Sequence, residues 1–290
     1  MTTISVIVPI WNRAHSVGRA INSVLSQTLP VGFDLEIIVV DDGSTDKPEQ
    51  ILASFGASIR LVRHARNLGA AAARNTGCTA AAGEFIAFLD SDDVWLPGKV
   101  SAQLTFMREH HFELSCTAYL LHRGSNRSIV SPIYPTGPLR QENLVWGCYI
   151  GPGSTLMSRT SVFRDNGPLD TSLRRFEDWD WLMRFTRKGV IGFLATPLAY
   201  VEPSSGAGLE TVFAALEQIK MCHLGGLTGA NRRHFKAACH LERAAAQLRS
   251  GSKSGALREL AMSLYWAPLG NQALAAVLYN RLARPMANLH

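Results

Sequence analysis

The chain has 290 residues, 47% of them hydrophobic and 18% charged, with a formal net charge of +6. That composition allows one large buried core, or a core with a smaller annex, and excludes a disordered chain. Its five cysteines, Cys78, Cys116, Cys148, Cys222 and Cys239, are odd in number, widely spaced and free of any C-x-x-C pair, which argues against a disulfide framework or a structural zinc site and for a reducing compartment such as the cytoplasm.

The N-terminus runs into Ile4-Ser5-Val6-Ile7-Val8 with no basic n-region or cleavage site. It reads as a first strand over residues 4–10, not as a signal peptide. Val17, Ala20, Ile21, Val24 and Leu25 then recur at helical spacing. Residues 35–40 form a second apolar run and residues 59–62 a weaker third, followed by an alanine-rich helix over 69–82. Residues 84–89 give a fourth strand, with a helix from about Pro97. Strands and helices thus alternate, and runs apolar on both faces predict an α/β fold whose mostly parallel sheet is covered by helices on both sides.

The polar residues fall where those strands end. Pro9-Ile10-Trp11-Asn12-Arg13 follows the first, Asp41-Asp42-Gly43-Ser44 the second and Asp90-Ser91-Asp92-Asp93 the fourth. A parallel sheet would gather all three at its carboxyl edge, where open α/β sheets bind ligands. The three carboxylates after the apolar run Phe85-Ile86-Ala87-Phe88-Leu89 suit a divalent cation, because Asp oxygens are hard ligands that leave Mg2+ or Mn2+ positions for phosphate oxygens. Each motif alone also has a plain structural reading, since Asp-Gly-Ser makes turns and Asp-Asp caps helices.

Beyond residue 205, Ser204-Ser205-Gly206-Ala207-Gly208 marks a change of composition and a boundary between a domain over 1–205 and a helical region over 206–290. Phe235, Ala238, Leu241, Ala245 and Leu248 share one helical face; after the break at Ser250-Gly251-Ser252, Leu257, Leu260, Ala261, Leu264 and Tyr265 share another. The pair faintly resembles a tetratricopeptide unit, with too few repeats for a solenoid. Residues 211–290 hold 10 Lys/Arg against 3 Asp/Glu, so the basic excess belongs to this region. Attraction to an anionic membrane surface is one expectation from it, and a solvated helix face is the other. The uncharged run over 260–280 is interrupted by Pro268-Leu269-Gly270-Asn271-Gln272 and reads as two packed helices, not a membrane span.

Order, spacing and residue type together resemble the inverting family 2 glycosyltransferases of the GT-A fold, over roughly residues 3–200. The resemblance is carried by Val6-Ile7-Val8-Pro9-Ile10-Trp11-Asn12-Arg13, Ser23-Val24-Leu25-Ser26-Gln27-Thr28 and Glu36-Ile37-Ile38-Val39-Val40-Asp41-Asp42-Gly43-Ser44-Thr45-Asp46. It continues in Asn67-Leu68-Gly69, Ala73-Arg74-Asn75-Thr76-Gly77, Ala82-Gly83-Glu84 with the fourth strand through Asp93, and Glu177-Asp178-Trp179-Asp180.

That resemblance implies transfer of a sugar from a nucleoside-diphosphate donor to a hydroxyl of a glycan or lipid-linked acceptor, in polysaccharide or glycolipid assembly at the cytoplasmic face of a membrane. The charge of the basic C-terminal helices adds peripheral membrane contact as an expectation, and no nucleic-acid partner is expected. Asp42 would accept a hydrogen bond from the base, with Pro9 and Asn12 lining the same pocket. Asp93 would hold Mg2+ or Mn2+, with Asp92 sharing the ion or contacting the ribose, while Asp90 fixes the loop. Arg74 would add positive charge at the diphosphate or bind a neighbouring carboxylate. The catalytic base falls to Asp178, with Glu177 and Asp180 as substitutes.

Other features carry less. Gly151-Pro152-Gly153-Ser154-Thr155 reads either as flexible backbone beside a sugar or as a plain turn. Trp179 and Trp181 read as core or as stacking platforms. Asp90-Ser91-Asp92-Asp93-Val94 also satisfies the D-x-D-x-[TV] pattern of haloacid-dehalogenase-like phosphatases, in which Asp90 would be the nucleophile. A non-catalytic nucleotide-sugar or glycan binder is the remaining alternative.

Overall fold

The computed structural model describes residues 1–123, 126–128, 137–148, 150–202 and 206–268. In chain order its elements are β1 (Thr2–Ile10), α1 (Ala14–Leu25), β2 (Phe33–Asp41), α2 (Glu49–Leu52), β3 (Arg60–Arg63), α3 (Ala70–Ala80), β4 (Phe85–Phe88), β5 (Val94–Trp95), α4 (Lys99–Glu109) and β6 (Leu114–Arg123). There follow β7 (Asn126–Ser128), α5 (Gln141–Leu144), α6 (Pro152–Thr155), β8 (Met157–Arg159), α7 (Thr160–Asn166), α8 (Glu177–Phe185), β9 (Gly192–Val201), α9 (Leu209–His223), α10 (Gly229–Arg249) and α11 (Lys253–Trp266).

Two compact units interleave along the chain. The first comprises Met1–Ser131, Ile150–Ser172 and Val190–Pro203, and the second Pro132–Tyr149, Leu173–Gly189 and Ser204–His290. This division differs from a single boundary near residue 205, because two internal segments cluster with the C-terminal helices. Ser204-Ser205 itself, and the part of the uncharged run beyond Pro268, lie outside the described residues.

The first unit is built on one mixed sheet in the order β3-β2-β1-β4-β8-β6-β9-β5, with β7 on β6. β1 lies between β2 and β4, parallel to both, so Val6, Ile7 and Val8 are fully buried and the strand is apolar without alternation. β3 is parallel to β2 at the sheet edge, which accounts for its weaker apolar pattern. Val17, Ala20, Ile21 and Val24 of α1 pack into the same core as Ile4, Val6 and Val8.

The sheet then continues through strands that periodicity does not announce. β5, β7 and β8 have only two or three residues each, too few to display a period. β6 and β9 are long and parallel, yet their pairing is shifted between Thr117 and Ala118 and between Ala118 and Leu120. β8 joins antiparallel to both β4 and β6, and β5 antiparallel to β9.

In the second unit, α8 buries Trp179, Trp181, Leu182 and Met183. Both tryptophans are therefore core residues, and Trp179 Nε1 donates to the Leu144 carbonyl at 2.8 Å. α10 buries Phe235, Ala238, Leu241 and Ala245, as its pattern predicts. α11 departs from expectation: Leu257 and Tyr265 are exposed, and Ala256 and Ser263 are the residues it buries. Ser263 Oγ donates to the Ala237 carbonyl at 2.9 Å, a contact that needs a small side chain at the helix interface. Among the described residues, no helix is long and apolar enough to cross a membrane.

Candidate active site

Because β1, β2 and β4 are adjacent and parallel, their carboxyl ends share one edge. Ile10 pairs with Asp41, the Asp42 N–H donates to the Ile10 carbonyl at 2.8 Å, and the Leu89 N–H donates to the Ile7 carbonyl at 3.0 Å. The three acid-bearing or polar turns predicted from the sequence are thus brought together in the first unit. β3 supplies a fourth, in which Arg63 pairs with Asp41 and His64 follows directly.

On the β1–β2 side the polar groups brace one another. Pro9 is buried in β1 opposite Val40. Asn12 has a left-handed backbone (φ 52), a conformation asparagine tolerates, and its Oδ1 accepts the Thr45 N–H at 2.8 Å while its own N–H donates to Ser44 Oγ at 3.0 Å. Gly43 (φ 71) must be glycine, since a Cβ there would lie 2.5 Å from the Arg66 carbonyl carbon. Asp41 accepts the Ser44 N–H at 2.9 Å and pairs with Arg63 at 3.2 Å.

Asp42 is 3% exposed and anchors the loop that precedes α3. Its Oδ1 takes hydrogen bonds from the Leu68 N–H at 2.9 Å and from His64 Nδ1 at 2.7 Å, and its Oδ2 from the Gly69 N–H at 2.8 Å. A carboxylate offers about four acceptor positions, so one remains for a further donor. His64 Nε2 lies 2.9 Å from Thr76 Oγ1, which ties Asp42 to α3. A surface cavity of about 440 Å³ is lined by Gly43, Ser44, Thr45, Arg63, His64 and Ala65.

In the acidic turn after β4, each carboxylate has its own partner. Arg74 Nη2 contacts Asp90 Oδ1 at 2.6 Å, and Arg13 Nε contacts Asp92 Oδ2 at 3.2 Å. Asp93 is 3% exposed; Ser154 Oγ donates to its Oδ2 and the Glu202 N–H donates to its Oδ1 at 2.8 Å. Burial pushes the Asp93 carboxyl up to about 8, helped by the negative charge of Asp90 and, less, of Asp92, against the two hydrogen bonds. Among the described residues, no three His, Cys, Asp or Glu side chains are grouped as a ready cage for a metal ion. The donor chemistry nevertheless fits a hard cation: Mg2+ is usually held by one or two carboxylates plus substrate phosphates, and this turn concentrates carboxylate oxygens whose mutual repulsion a cation would relieve.

The segment around Gly153 is neither a loose loop nor a simple turn. α6 lies against the acidic turn, with Ser154 Oγ accepting the Asp90 N–H at 3.0 Å and the Ser154 carbonyl accepting Trp95 Nε1 at 2.9 Å. A Cβ on Gly153 would sit 2.1 Å from Asp90 Oδ2, so the close approach requires glycine. His64 is a site residue that sequence reasoning missed, and the sequence marks Ser154 only within a stretch that reads as flexible backbone or a plain turn. His64 carried one usable signal, its position just past the third strand.

Glu177 and Asp178 open α8 in the second unit, both half-buried, after Phe176 in a left-handed conformation (φ 66). Asp178 Oδ1 accepts its neighbour's Trp179 N–H at 2.7 Å. Asp180 is only 4% exposed and its two oxygens contact Arg184 at 2.9 Å and His223 at 2.8 Å, which removes it as a substitute base.

A parallel strand–helix repeat with acidic turns along its carboxyl edge defines an α/β protein whose ligand site lies at that edge. Residues 5–167 match glycosyl transferase family 2, and the chain belongs to that family. It is 35% identical to an uncharacterized glycosyltransferase of Rickettsia conorii over 71% of this chain, which spans about a third (33%) of that relative's length. It is 34% identical to the UDP-Glc:alpha-D-GlcNAc-diphosphoundecaprenol beta-1,3-glucosyltransferase WfgD of Escherichia coli, over 54% of this chain and 60% of WfgD. The crystal structure of S. aureus TarS 1-349 in complex with UDP-GlcNAc superposes with a TM-score of 0.68 at 20% identity, covering 92% of this chain and 82% of that one, a likeness of fold. The phosphatase alternative is thereby set aside, and Asp90, its required nucleophile, is engaged by Arg74.

Proposed function

We propose that this chain transfers a hexosyl group from a nucleoside-diphosphate sugar to an acceptor hydroxyl with inversion, in the assembly of a surface polysaccharide or glycolipid. The observation that carries the reading is the row of polar turns at the carboxyl ends of β1, β2, β3 and β4, in a member of a glycosyltransferase family. Support for the donor class comes from TarS, whose structure holds UDP-GlcNAc, and for a lipid-linked acceptor from the name of WfgD.

In this reading the nucleoside end of the donor enters the cavity beside His64, and Asp42 spends its remaining acceptor position on a base N–H. In the same reading Pro9 and Asn12 line the nucleoside pocket, a role supported for Asn12 by its hydrogen bonds to the cavity residues Ser44 and Thr45. Asp93 and Asp92 are the residues that would hold Mg2+ or Mn2+; Asp92 is a third exposed, while Asp93 is held from behind by Ser154. When bound, such an ion supplies Lewis-acid stabilisation of the leaving diphosphate. Arg74 sets Asp90 and in this reading adds positive charge beside the diphosphate. Asp178 takes the proton of the attacking hydroxyl, with Glu177 beside it as the only substitute. A cytoplasmic location at the inner face of a membrane, with peripheral contact through the basic C-terminal helices, completes the proposal.

A thermal-shift panel of nucleotide sugars with Mn2+ tests the donor class. Stabilisation by one or more UDP-sugars is expected. A flat response across every nucleotide sugar would contradict the reading.

A further inference from the structure

Among the described residues the C-terminal region is helical, and within the second unit its helices grip the first turn of α8. Asp180 stands two residues after Asp178. Its Oδ2 accepts from Arg184 Nε on the same helix at 2.9 Å, and its Oδ1 lies 2.8 Å from Nε2 of His223, the last residue of α9. Arg187 Nη2 lies 2.9 Å from His223 Nδ1. A guanidinium only donates, so Nδ1 is the acceptor and the ring proton sits on Nε2, directed at Asp180.

The pair is sealed from water, with His223 1% and Asp180 4% exposed. Burial works to raise the Asp180 pKa, but the hydrogen bond from His223 and the charge of Arg184 outweigh it and hold the carboxyl below its usual range. Apolar contacts surround the pair: Phe235 of α10 lies 5.3 Å from the Trp179 ring and 6.2 Å from the His223 ring. Phe176, immediately before the helix, is held in its strained left-handed conformation with its ring edge-on to Trp179 at 5.8 Å. Thus the residue before Glu177 and the two after Asp178 are all fixed by packing or buried hydrogen bonds, while Asp178 itself stays half-buried.

We propose that His223 is a positioning residue: through Asp180 it fixes the helix start that presents Asp178, so the C-terminal helices serve catalysis by orienting the base. The inference rests on the assignment of Asp178 made above. It gives the basic helical region a task that needs neither a lipid nor a protein partner.

The test uses the full chain and release of UDP from UDP-GlcNAc or UDP-glucose, whichever the wild type turns over. In His223→Gln the amide nitrogen replaces Nε2 and still reaches Asp180; in His223→Asn the shorter amide mimics Nδ1 and does not. The Gln variant is expected to keep kcat within about threefold, and the Asn variant to lose roughly 10- to 100-fold with donor KM unchanged, the scale of a base displaced by about an ångström. Equal kcat in the two variants, or equal loss of folded protein in both, would overturn the proposal. Asp178→Asn is measured alongside: wild-type turnover in that variant would remove the base assignment itself, whatever the His223 pair shows. Loss of turnover in Asp178→Asn with none in His223→Asn would sink the positioning role alone.

Discussion

Arg74 Nη2 lies 2.6 Å from Asp90 Oδ1, so a guanidinium from α3 is committed to the first carboxylate of the acidic turn. Arg74 therefore neutralises one member of a crowded set and holds the turn in register with the helix. Arg74→Met should cost about 1–3 kcal/mol, the usual loss when a charge-assisted hydrogen bond is removed. Urea unfolding measures this, and an unchanged midpoint would contradict the role.

Gly153 has no room for a side chain, because its Cβ would overlap the Asp90 carboxylate. Gly153→Ala must push α6 off the acidic turn or swing Asp90 away from Arg74. Overpacking of this kind costs about 1–3 kcal/mol, and donor affinity should fall with it. Normal stability together with normal UDP binding would show that the contact is slack.

Asp42 accepts three hydrogen bonds from the protein, two of them from backbone N–H groups. Asp42→Asn replaces an acceptor-only group with one that presents an amide donor to those N–H groups. Both the loop before α3 and the cavity should suffer, with donor KM rising about tenfold or more, on the scale of roughly 1.4 kcal/mol per decade. Steady-state kinetics with unchanged KM would place the nucleoside elsewhere.

Lys99 is fully buried, with Nζ 2.8 Å from Gln103 Oε1 and 4.1 Å from the Trp95 ring centre. Burial pulls its pKa down from 10.5 to about 7. Between those values the unfolded chain binds a proton that the folded chain does not, so stability rises as pH rises from about 7 to 10.5, and below 7 the penalty is constant. Lys99→Met should flatten that rise, while leaving Gln103 short of one donor. Denaturant titrations at pH 7 and pH 10 compare the slopes; parallel slopes in the two proteins would contradict the buried neutral amine.

Asp178→Asn should lower kcat by about 100-fold or more with donor binding intact, the size expected for loss of a general base. Glu177→Gln, by contrast, should retain most of the activity. If the two variants exchange these outcomes, Glu177 is the base.

The parallel section of the fold was legible because β1, β2 and β4 are buried on both faces and announce themselves as unbroken apolar runs. The strands after α4 were not, since β5, β7 and β8 are too short for any period and β6 and β9 pair with shifted register. The site motifs were legible for the same reason as their strands: each follows directly on an apolar run. His64 escaped because β3 is a mostly exposed edge strand with a weak pattern. The role of Ser154 escaped because its partners Asp90 and Asp93 lie more than sixty residues away, a relation that only the folded sheet creates. The face expected on α11 failed because helices packed through alanine and serine bury small residues and leave Leu257 and Tyr265 outside.

The account stands on a donor diphosphate bound at the acidic turn after β4. Calorimetric titration of UDP, with and without Mn2+, into the wild type and Asp92→Asn tests this directly, because Asp92 is a partly exposed carboxylate of the turn and its surface pair with Arg13 contributes little stability. The prediction is Mn2+-dependent binding in the wild type that weakens about tenfold or more in the variant. Equal affinity in the two proteins, with the same response to Mn2+, would contradict it.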